Sequence, residues 1–177
     1  QLESLYIIEV IGDVKNKSKS LNNMARIYVA HGDFDEAEKL YQQSLDMKED
    51  LGDLSGIAAT LNEWAKLHFI RGNWESALEM SKRSRKIFEA LGDLRGKAVS
   101  QSGIANIYIE RGNLEKGLEF QNENLNIFRV IGDKRGELTA LTWIAKIREQ
   151  EGDLAVALTM YEEILVITDQ IGDVEGR

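Results

Sequence analysis

The sequence predicts an all-α fold, an α-α superhelix (solenoid) of antiparallel helix pairs, on three observations. Nine glycines recur at one fixed spacing along the chain: Gly12, Gly32, Gly52, Gly72, Gly92, Gly112, Gly132, Gly152 and Gly172. The residue after each of these glycines is Asp or Asn, as in Gly32-Asp33. Between these pairs, apolar residues recur with the 3.6-residue period of a helix. Self-similarity at a fixed period indicates repeats that stack on one another.

Each Gly-Asp or Gly-Asn pair has a physical reason to separate two helices. Glycine adopts the left-handed conformation that closes a helix C-terminus, and Asp or Asn accepts hydrogen bonds from the free N–H groups of the next helix. Asp33, followed three residues later by Glu36, also matches a capping box. Four more glycines recur at twice this spacing and mark the start of a repeat: Gly56, Gly96, Gly136 and Gly176.

These signals predict nine helices joined by tight turns. The helices span residues 1–11, 15–30, 34–51, 55–70, 74–91, 95–110, 114–131, 135–150 and 154–171. Tight turns make successive helices antiparallel, and one pair cannot bury its apolar face alone. A single repeat array is therefore predicted. It consists of a second helix from a truncated repeat (1–13), full repeats over 14–53, 54–93, 94–133 and 134–173, and the start of another (174–177).

The inward face of the first helix in each pair follows from equivalent positions in successive repeats. In the first two repeats this face consists of Leu21, Met24, Ala25 and Tyr28, and of Leu61, Trp64, Ala65 and His68. Together with Gly32-Asp33, Ala37 and Tyr41, the first of these sets resembles the tetratricopeptide repeat. The resemblance covers nearly the whole chain in four copies. The period of about 40 residues, longer than the usual length of roughly 34, is similar to that of Partner-of-Inscuteable scaffolds, kinesin light chains and bacterial signalling arrays.

This resemblance implies a protein-interaction scaffold, part of a longer regulatory or signalling protein, that binds a peptide or helix in a concave groove. In such repeats the first helix of each pair lines the groove, and helical geometry then gives the residues that face it. The candidates are Lys19, Asn22, Arg26, Val29, Asn62, Glu63, Lys66, Phe69, Ser102, Asn106, Ile109, Thr142, Trp143 and Lys146.

The candidate face combines three kinds of side chain. Arg26, Lys66 and Lys146 form a basic row, amides such as Asn22 suit a peptide backbone, and Phe69 is among the apolar anchors. We therefore expect a partner segment with acidic and apolar side chains. The alternative is a solvated helix face with no ligand.

Composition excludes several other functions. The net charge is −8 and neither half of the chain is basic, which disfavours binding to nucleic acid or to an anionic membrane. No apolar stretch is long enough for a membrane span, and a cytoplasmic location is expected. With no Cys and only His31 and His68 as histidines, we predict no enzyme, catalytic residue, metal site or cofactor.

Two further possibilities remain open at this point. The array is alternatively a structural or sensory element that spaces a linked catalytic domain, such as an ATPase or a peptidase, or transmits a change to it. Its end helices also have apolar faces without polar caps, so we expect either that the full protein continues in both directions or that the ends associate head-to-tail between chains.

Overall fold

The computed structural model describes the backbone of residues 2–175 and the side chains of residues 12–172. Within this part of the chain there are eight helices and no strand, which confirms the all-α prediction. The helices are α1 (Leu2–His31), α2 (Phe34–Asp50), α3 (Leu54–Ile70), α4 (Trp74–Ala90), α5 (Leu94–Glu110), α6 (Leu114–Ile131), α7 (Lys134–Glu151) and α8 (Leu154–Glu175).

The prediction of nine helices is wrong at both ends of the chain. Helix α1 runs without interruption through Gly12-Asp13, so the segments predicted as 1–11 and 15–30 are one helix. Helix α8 likewise continues through Gly172-Asp173. Residues 176 and 177 of the predicted last partial repeat lie outside the described residues.

The turn between α2 and α3 shows what ends a helix in this chain. Gly52 adopts a φ of 64°, and the N–H of Asp53 donates to the carbonyl of Lys48 at 2.9 Å. The Asp53 carboxylate then accepts a hydrogen bond from the N–H of Gly56 at 2.9 Å. A Cβ atom on Gly56 would lie 2.5 Å from Asp53 Oδ2. At this turn the glycine at the start of the repeat therefore makes room for the carboxylate that caps the helix.

Gly12-Asp13 forms no turn, although Gly32-Asp33 and Gly72-Asn73 each form one without a side-chain cap. Within α1, continuing the helix satisfies the backbone groups at these positions. The capping box predicted at Asp33 is also wrong, since Asp33 makes no side-chain cap and Glu36 instead accepts from Lys39 at 2.6 Å.

The chain divides into two compact units, Gln1–Leu91 and Gly92–Arg177. In the first unit, α1 pairs with α2, α3 pairs with α4, and α2 packs against α3. One buried cluster contains Ala25, Ala37, Tyr41 and Leu67, and a second contains Leu45, Ile57 and Leu61. Met24 departs from the predicted inward face because its side chain is 46% exposed.

The second unit repeats this arrangement with α5 paired to α6, α7 paired to α8, and α6 packed against α7. Its core cluster consists of Ala98, Leu125, Phe128, Ala140, Leu141, Ile144 and Ile167. Gly136 lies directly against the Phe128 ring, and a Cβ atom on it would come within 2.3 Å of that ring.

Lys48 is a charged residue inside the first unit. Its side chain is only 3% exposed, and Nζ donates to Ser44 Oγ at 2.9 Å and to Thr60 Oγ1 at 2.6 Å. Burial lowers the pKa of Lys48, and nearby Asp53 only partly opposes this. The equivalent positions of the next two repeats hold buried Phe88 and Phe128. Lysine thus replaces a core phenylalanine here.

Candidate functional site

Three predicted residues of the first unit form one charged group. Arg26 on α1 and Lys66 on α3 flank Glu63, with Arg26 Nε 3.7 Å from Glu63 Oε2 and Lys66 Nζ 2.7 Å from Glu63 Oε1. Arg26 and Lys66 are exposed, whereas Glu63 is half-buried. Because two cations share one carboxylate, the group keeps a surplus positive charge facing solvent.

The other predicted residues of this unit differ in how accessible their side chains are to a ligand. Asn22 donates from Nδ2 to Thr60 Oγ1 at 3.0 Å, which ties α1 to α3. Asn62 is only 9% exposed, so its amide is poorly placed to meet a ligand, contrary to expectation. Lys19 is exposed, and Val29 and Phe69 are half-buried.

A column of rings lies beside the charged group. Trp64 stacks between Tyr41 and His68, with centroid distances of 6.4 and 6.0 Å. Burial, with a further contribution from Glu63, raises the pKa of Tyr41 to about 12, while Arg26 acts in the opposite direction. Burial lowers the pKa of His68, which stays a neutral ring near neutral pH.

Tyr41 should lower the free energy of unfolding of the first unit at alkaline pH, which can be measured. Its folded pKa of about 12 exceeds the ordinary value of 10.0, so between these values the unfolded chain loses the proton first and stability falls as pH rises. The loss should be about 1.4 kcal/mol at pH 11. In Tyr41→Phe this loss should vanish, as measured by urea unfolding at roughly pH 8 and pH 11. Equal losses in both proteins would contradict the assignment.

The sequence did not single out Arg71, which organises a second charged group in this unit. Its Nη1 lies 3.2 Å from Asp35 Oδ1 and 3.3 Å from Glu38 Oε2, and its guanidinium sits 5.9 Å from the centroid of Phe34. His68 Nε2 lies 3.5 Å from Glu38 Oε1. The sequence did contain one signal for this group: a basic residue comes directly before the turn glycine at Arg71, as it also does at Arg111.

In the second unit the clearest exposed feature is a cation over an aromatic ring. Lys146 Nζ lies 5.4 Å from the centroid of Trp143, one helical turn away on α7. Trp143 is half-buried and Lys146 is exposed. The pair presents a flat apolar surface next to a positive charge, which suits an acidic and apolar segment.

The polar candidates of the second unit are occupied within their own helix pair. Ser102 Oγ donates to the Ala98 carbonyl and accepts from Asn124 Nδ2, both at 3.0 Å. Asn106 Oδ1 accepts from Gln121 Nε2 at 3.3 Å. Thr142 donates to a carbonyl of its own helix, and Ile109 fills the space above Gly117. Ser102 and Asn106 therefore help to join α5 to α6, which leaves less of their hydrogen-bonding capacity for a ligand.

Membrane spans and metal sites are both absent from the described residues. No helix there is sufficiently long and apolar to cross a membrane. Nor does that part of the chain contain a group of three or more His, Asp or Glu side chains placed to hold a metal ion.

A family model described as Tetratricopeptide repeat matches residues 1–50 and 96–169. The chain belongs to the tetratricopeptide repeat family. Members of this family commonly act as protein-interaction scaffolds. Residues 51–95 lie outside the match, yet α3 and α4 form the same antiparallel pair as the other helices. A search of curated protein sequences finds no match.

Solved structures confirm the repeat superhelix at low sequence identity. BtubC (BKLC) from P. vanneervenii has a TM-score of 0.75 at 15% identity, over 88% of this tetratricopeptide repeat chain and 64% of that one. Aspartyl phosphate phosphatase F from Bacillus subtilis has a TM-score of 0.83 at 12% identity, over 90% and 42%. A signal transduction ATPase with a tetratricopeptide repeat sensor, from Pyrococcus horikoshii, has a TM-score of 0.77 at 20% identity, over 95% and 27%. The chain thus spans less than two thirds of each of these proteins.

Proposed function

We propose that this chain is a protein-interaction module that binds a peptide or helix with acidic and apolar side chains, within a longer regulatory or signalling protein. The observation that carries the proposal is the group of Arg26, Glu63 and Lys66, which keeps a surplus positive charge on a chain of net charge −8. Half-buried Val29 and Phe69 supply apolar surface on the same two helices.

Glu63 sets how strongly this group attracts an acidic partner. It already neutralises one of the two cations, and exposed ion pairs of this kind contribute little to stability. A carboxylate of the partner can therefore replace Glu63 as the partner of Arg26 or Lys66 at a small cost in free energy. In the second unit, Lys146 over Trp143 offers a separate anchor of the same chemistry.

A peptide selection tests the proposal without a known partner. Peptides of about 12 residues displayed on phage, roughly 40 Å long when extended, are selected against the chain. The enriched peptides should combine Asp or Glu with Leu, Phe or Trp. Their affinity, measured by fluorescence anisotropy, should fall at least about tenfold in Arg26→Glu/Lys66→Glu, and Lys146→Glu tests the second unit separately.

The control is a reversal of equal charge on another surface. Lys82, Arg83 and Lys86 are exposed on α4, and changing two of them, Lys82 and Lys86, to Glu alters the net charge as much as the double variant on α1 and α3. The control should leave affinity unchanged. Glu63→Gln should instead raise it several-fold, since it frees both cations. Equal weakening by the control, or enriched peptides without acidic residues, would refute the proposal.

A second candidate function is a sensory array for a linked catalytic domain. The Pyrococcus horikoshii ATPase carries its tetratricopeptide repeats as a sensor, and this chain covers 27% of that protein. If the same holds here, the full-length sequence should contain an ATPase or a peptidase domain beside the repeats. Sequencing the flanking gene segments decides this point.

A further inference from the structure

Within each unit, the contact between neighbouring helix pairs is formed by two apolar faces, one on each pair. The second helix of one pair supplies a leucine, Leu45 in α2 or Leu125 in α6. The first helix of the next pair supplies the other half. In α3 it includes Leu61, and in α7 it includes Leu141 and Ile144, which are buried in the same clusters as those leucines.

The last helix exposes the first half of such a contact. Leu158 and Leu165 occupy in α8 the repeat positions that Leu118 and Leu125 occupy in α6. Leu125 is buried, whereas Leu158 and Leu165 are 61% and 65% exposed. Within the described residues, helix α8 continues through Gly172 to Glu175, and no helix of the described part of this chain packs on the stripe.

The first helix exposes the other half. Leu21, Met24 and Ile27 occupy in α1 the repeat positions that α7 fills with Leu141, Ile144 and Ile147. Those three residues of α7 are 1% exposed, whereas Met24 is 46% and Ile27 is 59% exposed. The same chain therefore presents two apolar faces that match each other in register.

The charged residues also support the match between the α8 face and the α1 face. In the second unit, Arg129 of α6 binds Glu137 of α7 at 2.9 Å. The corresponding positions are Asp169 of α8 and Lys17 of α1, which form the same pair with the signs exchanged. Both residues are exposed. Around them, α1 adds Lys15 and Lys19 while α8 adds Glu162, so the two faces carry opposite charge.

From these observations we propose that α8 of one copy packs on α1 of a second copy as α6 packs on α7, with Asp169 opposite Lys17. The contact is heterologous, because it joins two different faces. Each added copy therefore leaves one free face at either end, and association continues with concentration. The proposal is independent of peptide binding by the Arg26, Glu63 and Lys66 group.

Sedimentation velocity of the chain, from about 1 µM to about 500 µM, tests the contact. The weight-average mass should rise with concentration beyond that of a dimer. Leu165→Glu and Met24→Glu should each be monomeric, since each buries a carboxylate in an apolar contact. Both positions are exposed within one chain, so these variants should fold normally, and circular dichroism checks this.

Mixing the two variants tests the direction of the contact. The Leu165→Glu chain keeps its α1 face and the Met24→Glu chain keeps its α8 face, so an equimolar mixture should form a dimer and stop there. Lys17→Asp and Asp169→Lys should each weaken association, and the double variant should restore it. Val130→Glu is the matched control, because Val130 is 79% exposed on α6 outside the stripe, and it should associate normally.

Three results would overturn the proposal. The first is a wild-type chain that stays monomeric across the whole concentration range. The second is association that persists in Leu165→Glu and in Met24→Glu, which would place the contact elsewhere. The third is a mixture of these two variants that remains monomeric, which would show that α8 does not pair with α1.

Discussion

Replacing Gly136 with alanine is expected to lower the free energy of unfolding of the second unit by about 1–3 kcal/mol. A Cβ atom at this position would lie 2.3 Å from Cδ1 of Phe128, and other atoms of that ring are 2.5 Å away. Phe128 is itself 4% exposed and belongs to the core cluster of this unit, so the ring has little room to move. Urea unfolding followed by circular dichroism measures the loss, and hydrogen exchange should locate it in α6 and α7.

Gly12→Ala is the matched control for this substitution. Gly12 lies inside α1, and an added Cβ atom meets no other atom within 4 Å. Alanine there should stabilise the chain by up to about 1 kcal/mol, because it favours the helix over the unfolded chain. If Gly136→Ala were as stable as the wild type, close packing would not be the reason for glycine at the repeat start.

Replacing Lys48 with methionine is expected to raise the free energy of unfolding at pH 7 by about 1–3 kcal/mol. Lys48 is a buried cation whose only hydrogen-bond acceptors among the described residues are two hydroxyl groups. Those hydroxyls keep other partners without it, since Ser44 donates to the Ser18 carbonyl and Thr60 to the Gly56 carbonyl. Methionine fills a similar volume without a charge to bury.

The same substitution should remove a pH dependence. Because the pKa of Lys48 is lowered by burial in the folded chain, the unfolded chain binds more protons between that lowered value and 10.5. Wild-type stability should therefore rise with pH through this window, and Lys48→Met should lack the rise. Measuring both proteins in a Tyr41→Phe background removes the opposing loss above pH 10. A destabilised Lys48→Met would show that the two hydrogen bonds outweigh the burial of the charge.

The sequence was sufficient to predict the helix pairs because their turns depend on local chemistry. At Gly52 the turn has a left-handed glycine, a capping carboxylate and a glycine three positions later, and all three can be seen in the sequence. The left-handed glycine is the feature that the turns share, since Gly32 and Gly72 end helices with no side-chain cap after them, yet Gly12 lies inside α1. Glycine spacing alone was too simple a signal.

The candidate site was predicted less well because its residues depend on neighbours distant in sequence. The periodicity placed Asn62 on the outer face, but the structure buries it. It gave Arg26 and Lys66 as a basic row without showing that both contact Glu63. Lys48 could not be identified as buried until α2 and α3 were packed together, because a lysine in a helix is usually solvated.

The glycine that follows each capping carboxylate also has a genetic consequence. Unequal recombination between gene segments that each encode one repeat would delete or duplicate a whole helix pair while keeping the capping carboxylate and the glycine at the new junction. Loss of residues 94–133, for example, would bring Phe88 to the position of Phe128 beside Gly136, and Asp93 to the position of Asp133. Such an array can change length by steps of one pair while each junction keeps the residues that form its turn.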